Sequence, residues 1–273
     1  MNIDAKTTIC CIIGDPVSHS LSPVMHNAGY QELGLNFAYV AFGVKDVKKA
    51  LDGIVSLGIR GVSVTVPHKR SVIPFLHKID ETARQIGAIN TIVNNNGILT
   101  GYNTDYTGAL LALEEKTDLA NKRVLLLGAG GAARALAFGL KQKNVSLTIS
   151  NRTKDHAKKL AEEVGTTYND SATLTDLSNI DILINATTVG MKQDAKPLIE
   201  KHLLHKNLVV FDIVYTPKVT QLIQDAKSIG CEVVYGYKML LYQAVLQFEL
   251  FTGQKAPVSI MEQVLIQELE GEI

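Results

Sequence analysis

Two residues of the chain have the types that proton transfer at a ketone needs. Lys69 follows Pro67 and His68 after the apolar run Gly61-Val-Ser-Val-Thr65-Val66, and Asp105 follows a run ending at Tyr102 and opens a helical pattern. An ammonium and a carboxylate at strand ends can pass a proton to and from a ketone oxygen. A carboxylate beside the lysine favours its charged form, and desolvation opposes that. Taken singly, a solvated loop lysine and a helix-capping aspartate account for the same residues. Ser18, Ser20 and Ser22 place hydroxyls at a helix start, which suits a carboxylate ligand; Ser22, before Pro23, is read as the helix cap. His19 and His68 adjoin these segments without metal-ligand spacing and read as structural or rim residues, so no metal is expected.

A second constellation carries its own chemistry. Val124-Leu-Leu-Leu127 runs into Gly128-Ala129-Gly130-Gly131-Ala132-Ala133, the alanine-ended form of the dinucleotide fingerprint, and a helical pattern follows. Gly128 permits the tight turn off the strand. Gly130 lets backbone approach a pyrophosphate, and Ala133 lets the helix pack on the sheet. The helix start then offers free N–H groups and partial positive charge to phosphates. An NAD site usually places a carboxylate about 20 residues further on, against the ribose 2′-hydroxyl. The chain instead has Ser150-Asn151-Arg152-Thr153, whose guanidinium suits a 2′-phosphate. The expected cofactor is NADP.

The elements needed to position these groups are legible in the hydrophobic pattern. Thr8–Ile13, Asn36–Phe42 and Gly61–Val66 read as strands, and a hairpin turns at Asn96-Gly97. Helices are expected over Pro23–Leu33 and from Asp46 to near Gly58, then over Tyr106–Leu113. A second βα series has strands at Arg123–Leu127, Val145–Ser150, Asp181–Asn185, Leu208–Ile213 and Glu232–Tyr235, with helices at Ala132–Lys143, Thr153–Val164 and Val219–Ser228. Such alternation predicts a doubly wound parallel sheet. The helical segments Lys238–Thr252 and Ser259–Leu269 come after that domain is complete. They are expected to return to the first domain, and their apolar content would equally serve a homodimer.

Composition narrows the remaining classes. The 273 residues suit two domains. Net charge is zero, which leaves no electrostatic basis for a nucleic-acid partner or an anionic membrane. No apolar run approaches a transmembrane span, and the N-terminus does not read as a signal peptide. Cys10, Cys11 and Cys231 sit in strand-like runs, so buried free thiols in a reducing cytoplasm are expected.

Taken together, the segments resemble the shikimate dehydrogenase family. They are Gly14-Asp-Pro-Val-Ser-His-Ser-Leu-Ser-Pro-Val-Met-His26, Val64-Thr-Val-Pro-His-Lys69, Gly87-Ala-Ile-Asn-Thr91, Gly101-Tyr-Asn-Thr-Asp105, Gly128–Ala133, Asn151-Arg-Thr153, Asn185-Ala-Thr-Thr-Val-Gly-Met191, Asp212-Ile-Val-Tyr-Thr-Pro217, and Gly236-Tyr-Lys-Met-Leu240 with Gln243-Ala244. They stand in the family's order and span nearly the whole chain.

The resemblance implies an α/β fold of two domains. One is a Rossmann-type NADP-binding domain over 105–238. The other is a discontinuous substrate domain over 1–104 and 239–273 with a mainly parallel sheet, and the site lies in the cleft between them. It implies reversible NADP-linked reduction of 3-dehydroshikimate to shikimate, on the path to chorismate and aromatic amino acids. Lys69 and Asp105 would form the catalytic pair. Lys69 would act as acid/base or stabilise an alkoxide-like oxygen, and Asp105 would bond a ring hydroxyl and orient Lys69. Ser18 and Ser20, with Tyr215, would hold the substrate carboxylate; Thr65, Asn90 and Gln243 would contact its other oxygens. Gly128, Ala129, Gly130, Gly131, Ala132, Asn151, Arg152 and Thr153 would bind the cofactor, with Thr188, Gly236 and Met239 near the nicotinamide.

Two positions depart from the family pattern. Ser63 stands where asparagine is frequent, which could change substrate contacts. His156 stands where a second arginine is frequent, with Lys154 and Lys158 nearby, which suggests a weaker or pH-dependent NADP preference. Two rivals are a quinate/shikimate dehydrogenase of broader substrate or NAD use, and an NADP-binding sensor without turnover. The missing acidic residue after Ser150 argues against NAD use in the first, and retention of Lys69 and Asp105 argues against the second.

Overall fold

The computed structural model describes residues 3–170, 174–192 and 197–271. The chain divides into two compact units, Met1–Thr104 with Gln243–Ile273, and Asp105–Tyr242.

The first unit holds β1 (Thr8–Gly14), β2 (Phe37–Gly43), β3 (Gly61–Val64), β4 (Lys78–Ile79), β5 (Thr91–Asn95) and β6 (Ile98–Tyr102), in the order β2-β1-β3-β5-β6-β4. All pairs are parallel except those of β5, which runs against β3 and β6. The reversal follows from the hairpin. Asn96 and Gly97 have φ of 51° and 90°, as a two-residue hairpin turn of the favoured hand requires. β1 and β3 are apolar runs because the sheet is covered on both faces. Cys11, Ile13, Val62 and Val64 pack with Leu51 and Ile54 of α2 (Val47–Ser56). Asp46 caps α2 by accepting from Lys49 N at 3.1 Å. The opposite face is aromatic: His26 and Tyr30 of α1 (Ser22–Glu32), Tyr39 of β2, and Phe248 and Phe251. Helix α9 (Val258–Gly271) buries Met261, Leu265 and Leu269 and packs on α1.

Three local features differ from expectation. Ser22 is not the cap of α1. The first intrahelical bond starts from the Leu21 carbonyl, so Ser22 is already the first helical residue and is buried. It is the Ser20 hydroxyl that accepts from Ser22 N, at 3.3 Å. The strand β4 and the six-residue helix α3 (Glu81–Ile86) were not expected. Asp80 and the left-handed Gly87 (φ 69°) bracket α3 as caps, but it is too short to show a period.

The second unit alternates α4 (Asp105–Glu114), β7 (Arg123–Leu127), α5 (Gly131–Lys141), β8 (Ser146–Asn151), α6 (Lys154–Val164), β9 (Thr167–Asp170), β10 (Ile182–Asn185), β11 (Val209–Asp212), α7 (Gln221–Ile229) and β12 (Glu232–Tyr235). The sheet is wholly parallel, in the order β12-β11-β10-β7-β8-β9. The winding reverses between β7 and β10, which is the doubly wound Rossmann order. Side chains alternate between two cores: Val124, Leu126, Ile182 and Ile184 face one, and Leu125, Leu127 and Leu183 the other. Helix α8 (Gly236–Thr252) starts in this unit and ends in the first. The three cysteines are buried free thiols. No helix among the described residues is long and apolar enough to cross a membrane.

Candidate active site

In the first unit, β1 and β3 end side by side, and the segments beyond them stay in contact. Thr65 N donates to Ile13 O at 3.0 Å and Asp15 N to Val66 O at 3.1 Å. The approach is so close that a Cβ on Gly14 would collide with the Thr65 methyl. Ser18 is exposed and Ser20 half-buried in the loop leaving β1. The chain then turns tightly, with His68 N donating to Thr65 O at 2.9 Å. His68 is buried, and its Nε2 lies 2.6 Å from Val44 O, so it anchors the turn. Lys69 follows, half-buried, and its carbonyl accepts from Ile89 N at 2.7 Å. One residue on, the Asn90 carbonyl accepts from Val64 N at 2.7 Å. Thr65, Lys69 and Asn90 are thus carried on adjoining, mutually bonded segments.

The Asn90 side chain is 2 % exposed and held in one orientation. Its Oδ1 accepts from Thr104 N and from the Thr91 hydroxyl, both at 2.7 Å, and its Nδ2 donates to Thr104 Oγ1 at 2.9 Å. The Thr104 hydroxyl donates to the Gln243 carbonyl at 3.1 Å, which ties α8 to the same corner. Ser63, the departure seen in the sequence, is buried on β3 and takes part in this polar cluster.

In the second unit, the glycine loop has the geometry its residue types require. Gly128 has φ 117°, and a Cβ there would stand 2.7 Å from Ala186 O. At Gly130 and Gly131 a Cβ would meet nothing within 4 Å, and α5 starts with no side chain capping its N–H groups. That open, uncapped helix start, edged by Ala129 and Ala132, fits a pyrophosphate. Beyond β8, Arg152 and Thr153 are exposed, and Asn151 Nδ2 donates to Thr153 O at 3.0 Å. The Ser150 hydroxyl beside them is fully buried and has no partner among the described residues. His156, Lys154 and Lys158 are exposed on the first turns of α6. Asp105, 8 % exposed, lies in the first turn of α4.

The loops that bear Thr188 and Tyr215 leave the adjacent ends of β10 and β11. A buried clamp joins them. Asn185 Nδ2 donates to Asp212 Oδ1 at 2.9 Å and to Val189 O at 3.0 Å. Its Oδ1 accepts from Thr187 N at 2.9 Å. Asp212 also accepts from Val214 N at 3.1 Å and from the Thr220 hydroxyl at 2.6 Å. Burial pushes the Asp212 carboxyl up, and the donors of Thr220, Val214 and Asn185 oppose that. Gly236 admits no side chain, since a Cβ would strike the Val214 carbonyl, and Met239 is half-buried on the first turn of α8. No role for Asn185 or Asp212 is expected from the sequence; their signal there is the polar residue that closes each apolar strand.

Comparison with known proteins covers the same ground. Residues 12–92 match the profile of the shikimate dehydrogenase substrate binding domain, 110–233 that of shikimate / quinate 5-dehydrogenase, and 236–266 that of the shikimate 5′-dehydrogenase C-terminal domain. The chain is 44 % identical over 275 residues to the NADP(+) shikimate dehydrogenase of Methanothermobacter thermautotrophicus, covering 96 % of this chain and 97 % of that one. It is 45 % identical over 262 residues to that of Pyrococcus abyssi, covering 94 % and 97 %. A crystal structure of shikimate dehydrogenase in complex with NADP+ superposes with a TM-score of 0.94 at 39 % identity, covering 98 % of both chains. At this identity and coverage, the chain belongs to the shikimate dehydrogenase family.

Proposed function

We propose that the chain oxidises shikimate and, in reverse, reduces 3-dehydroshikimate with NADP(H), a step towards chorismate and the aromatic amino acids. The observation that carries this reading is the identity of 44 % along nearly the whole chain with an NADP(+) shikimate dehydrogenase. Lys69 gives or takes the proton at the reacting oxygen, or holds its developing charge. Asp105 accepts a hydrogen bond from a ring hydroxyl. Ser18, Ser20 and Tyr215 bind the substrate carboxylate; Thr65, Asn90 and Gln243 bind its remaining oxygens. NADP, when bound, supplies or accepts the hydride. Gly128 to Ala132 hold its pyrophosphate, and Asn151, Arg152 and Thr153 hold its adenosine side, the guanidinium meeting the 2′-phosphate. Thr188, Gly236 and Met239 border the nicotinamide. The open start of α5 supports the pyrophosphate assignment, and the buried free thiols support a reducing, cytoplasmic setting.

Steady-state rates with shikimate and with quinate, each with NADP and with NAD, test the reading. The expected order places shikimate with NADP first. No turnover with shikimate overturns the reading, and a preference for quinate with NAD replaces it with the rival of broader use.

A further inference from the structure

Behind Asn90 lies a line of buried polar groups that the reaction itself does not call for. Tyr39 OH donates to Ser63 Oγ at 2.6 Å, and Ser63 Oγ donates to Gln247 Oε1 at 2.6 Å. Gln247 Nε2 donates to Thr91 Oγ1 at 2.9 Å and to Asn90 O at 3.1 Å. The Thr91 hydroxyl donates to Asn90 Oδ1, Asn90 Nδ2 to Thr104 Oγ1, and Thr104 to the Gln243 carbonyl. Every donor in the line points the same way. Tyr39, Ser63, Gln247 and Thr91 are at most 3 % exposed, so no water competes for these bonds.

The polarity has a cause at each step. Tyr39 is fixed at the far end: its backbone N donates to Asn27 Oδ1 at 2.8 Å, its carbonyl accepts from Asn27 Nδ2 at 2.9 Å, and its ring stacks on His26 at 4.3 Å. Its O–H occupies a lone pair of Ser63, whose single proton then goes to Gln247. That decides which way the Gln247 amide faces. The N–H of Gln247 occupies a lone pair of Thr91, whose proton then goes to Asn90. Without Gln247, the Thr91 hydroxyl could turn to Thr104 Oγ1, 3.4 Å away, and Asn90 Oδ1 would lose one of its donors.

We propose that Gln247, oriented by Ser63 and Tyr39, is a positioning residue that sets the side chain of Asn90 for substrate. This rests on Asn90 being a substrate contact, as proposed above. It also places the effect of Ser63 in its bond to Gln247, since Ser63 is buried and its hydroxyl is engaged by Tyr39 and Gln247.

The test is a set of kinetic measurements on the full chain. Gln247→Leu keeps the bulk and removes the relay. Ser63→Ala and Tyr39→Phe each delete one hydroxyl, and they keep the test alive if Gln247→Leu does not fold. Deleting one orienting hydrogen bond is expected to lower kcat/KM for shikimate by about 5–10-fold in Gln247→Leu, less in Ser63→Ala and least in Tyr39→Phe. KM for NADP should stay within about twofold, since no residue of the relay is proposed to bind the cofactor. Thr91→Val should resemble Gln247→Leu, and Thr91→Ser, which keeps the hydroxyl, should recover most of the loss. Folded variants with unchanged shikimate kinetics and lowered melting temperatures overturn the positioning role and leave the functional reading intact. So does an equal rise in both KM values. If the parent chain does not oxidise shikimate, both fall together.

Discussion

Lys69 is the side chain proposed to handle the proton, and its setting makes the consequence of removal specific. Its backbone is tied to Ile89 at 2.7 Å and its neighbour His68 to Val44, so the turn does not depend on the ammonium. Lys69→Ala should therefore fold as the parent does. It should lose about 10²–10⁴-fold in kcat, with little change in KM for shikimate; a kcat within twofold of the parent moves Lys69 to the rim. Asp212 is the opposite case, a buried carboxylate with three donors and no proposed contact with substrate. Asp212→Ala leaves the groups of Asn185, Val214 and Thr220 unsatisfied and should cost about 2–4 kcal/mol, read by denaturant titration. The proposed role of Lys69 comes from the family resemblance, since its type and its place after a strand fit a solvated loop lysine equally; Asp212 has no role in the sequence reading at all. The role of Asp212 depends on Asn185, 27 positions away, and that pairing exists only once β10 lies beside β11. Gln247 is hidden for the same reason, being 184 positions from Ser63.

Elements whose signal is local are legible in the sequence, and those defined by their neighbours are not. β7 with its glycine turn, the Asp46-capped α2 and the Asn96-Gly97 hairpin each carry their instructions within a few residues. β9 is the sequence Thr-Tyr-Asn-Asp at a sheet edge and has no apolar run; it is a strand because β8 offers it a free edge. The glycine turn shows how backbone and ligand demands separate within one element. Gly128→Ala must place a Cβ at φ 117° and 2.7 Å from Ala186 O, and should destabilise the second unit by about 1–3 kcal/mol. Gly130 has φ −80° and open space around it, so Gly130→Ala should leave stability within about 0.5 kcal/mol of the parent. The methyl would instead occupy space assigned to the pyrophosphate and should weaken NADP binding by about tenfold or more. Calorimetric titration with NADP checks this. Unaltered affinity in Gly130→Ala would remove the phosphates from this turn.

Across the whole molecule, the two units carry buried ionisable groups that respond to acid with opposite signs. His26 in the first unit is fully enclosed by Tyr39, Tyr30, Phe248 and Phe251. Burial pushes its pKa down to about 3, with the Gln247 side chain opposing more weakly. The ordinary value is about 6.5. Between those limits the unfolded chain binds a proton that the folded chain refuses, so stability is lost as pH falls below about 6.5, by at most about 1.4 kcal/mol per pH unit. Asp212 in the second unit has its folded pKa raised, so its contribution is favourable at low pH and is lost as pH rises through the folded value. Asp4, Asp46, Asp176 and Asp181 are held below the ordinary carboxylate value by their hydrogen bonds and act only below about pH 4. From pH 6.5 to 4, acid should therefore loosen the first unit ahead of the second. Hydrogen exchange followed by segment reads this directly: amides of β1, β2 and α1 should lose protection before those of β10 and β11. His26→Gln removes the titrating group. Whatever it costs in baseline stability, the pH slope of exchange in the first unit should flatten. A slope that persists in His26→Gln would assign the acid sensitivity to another group.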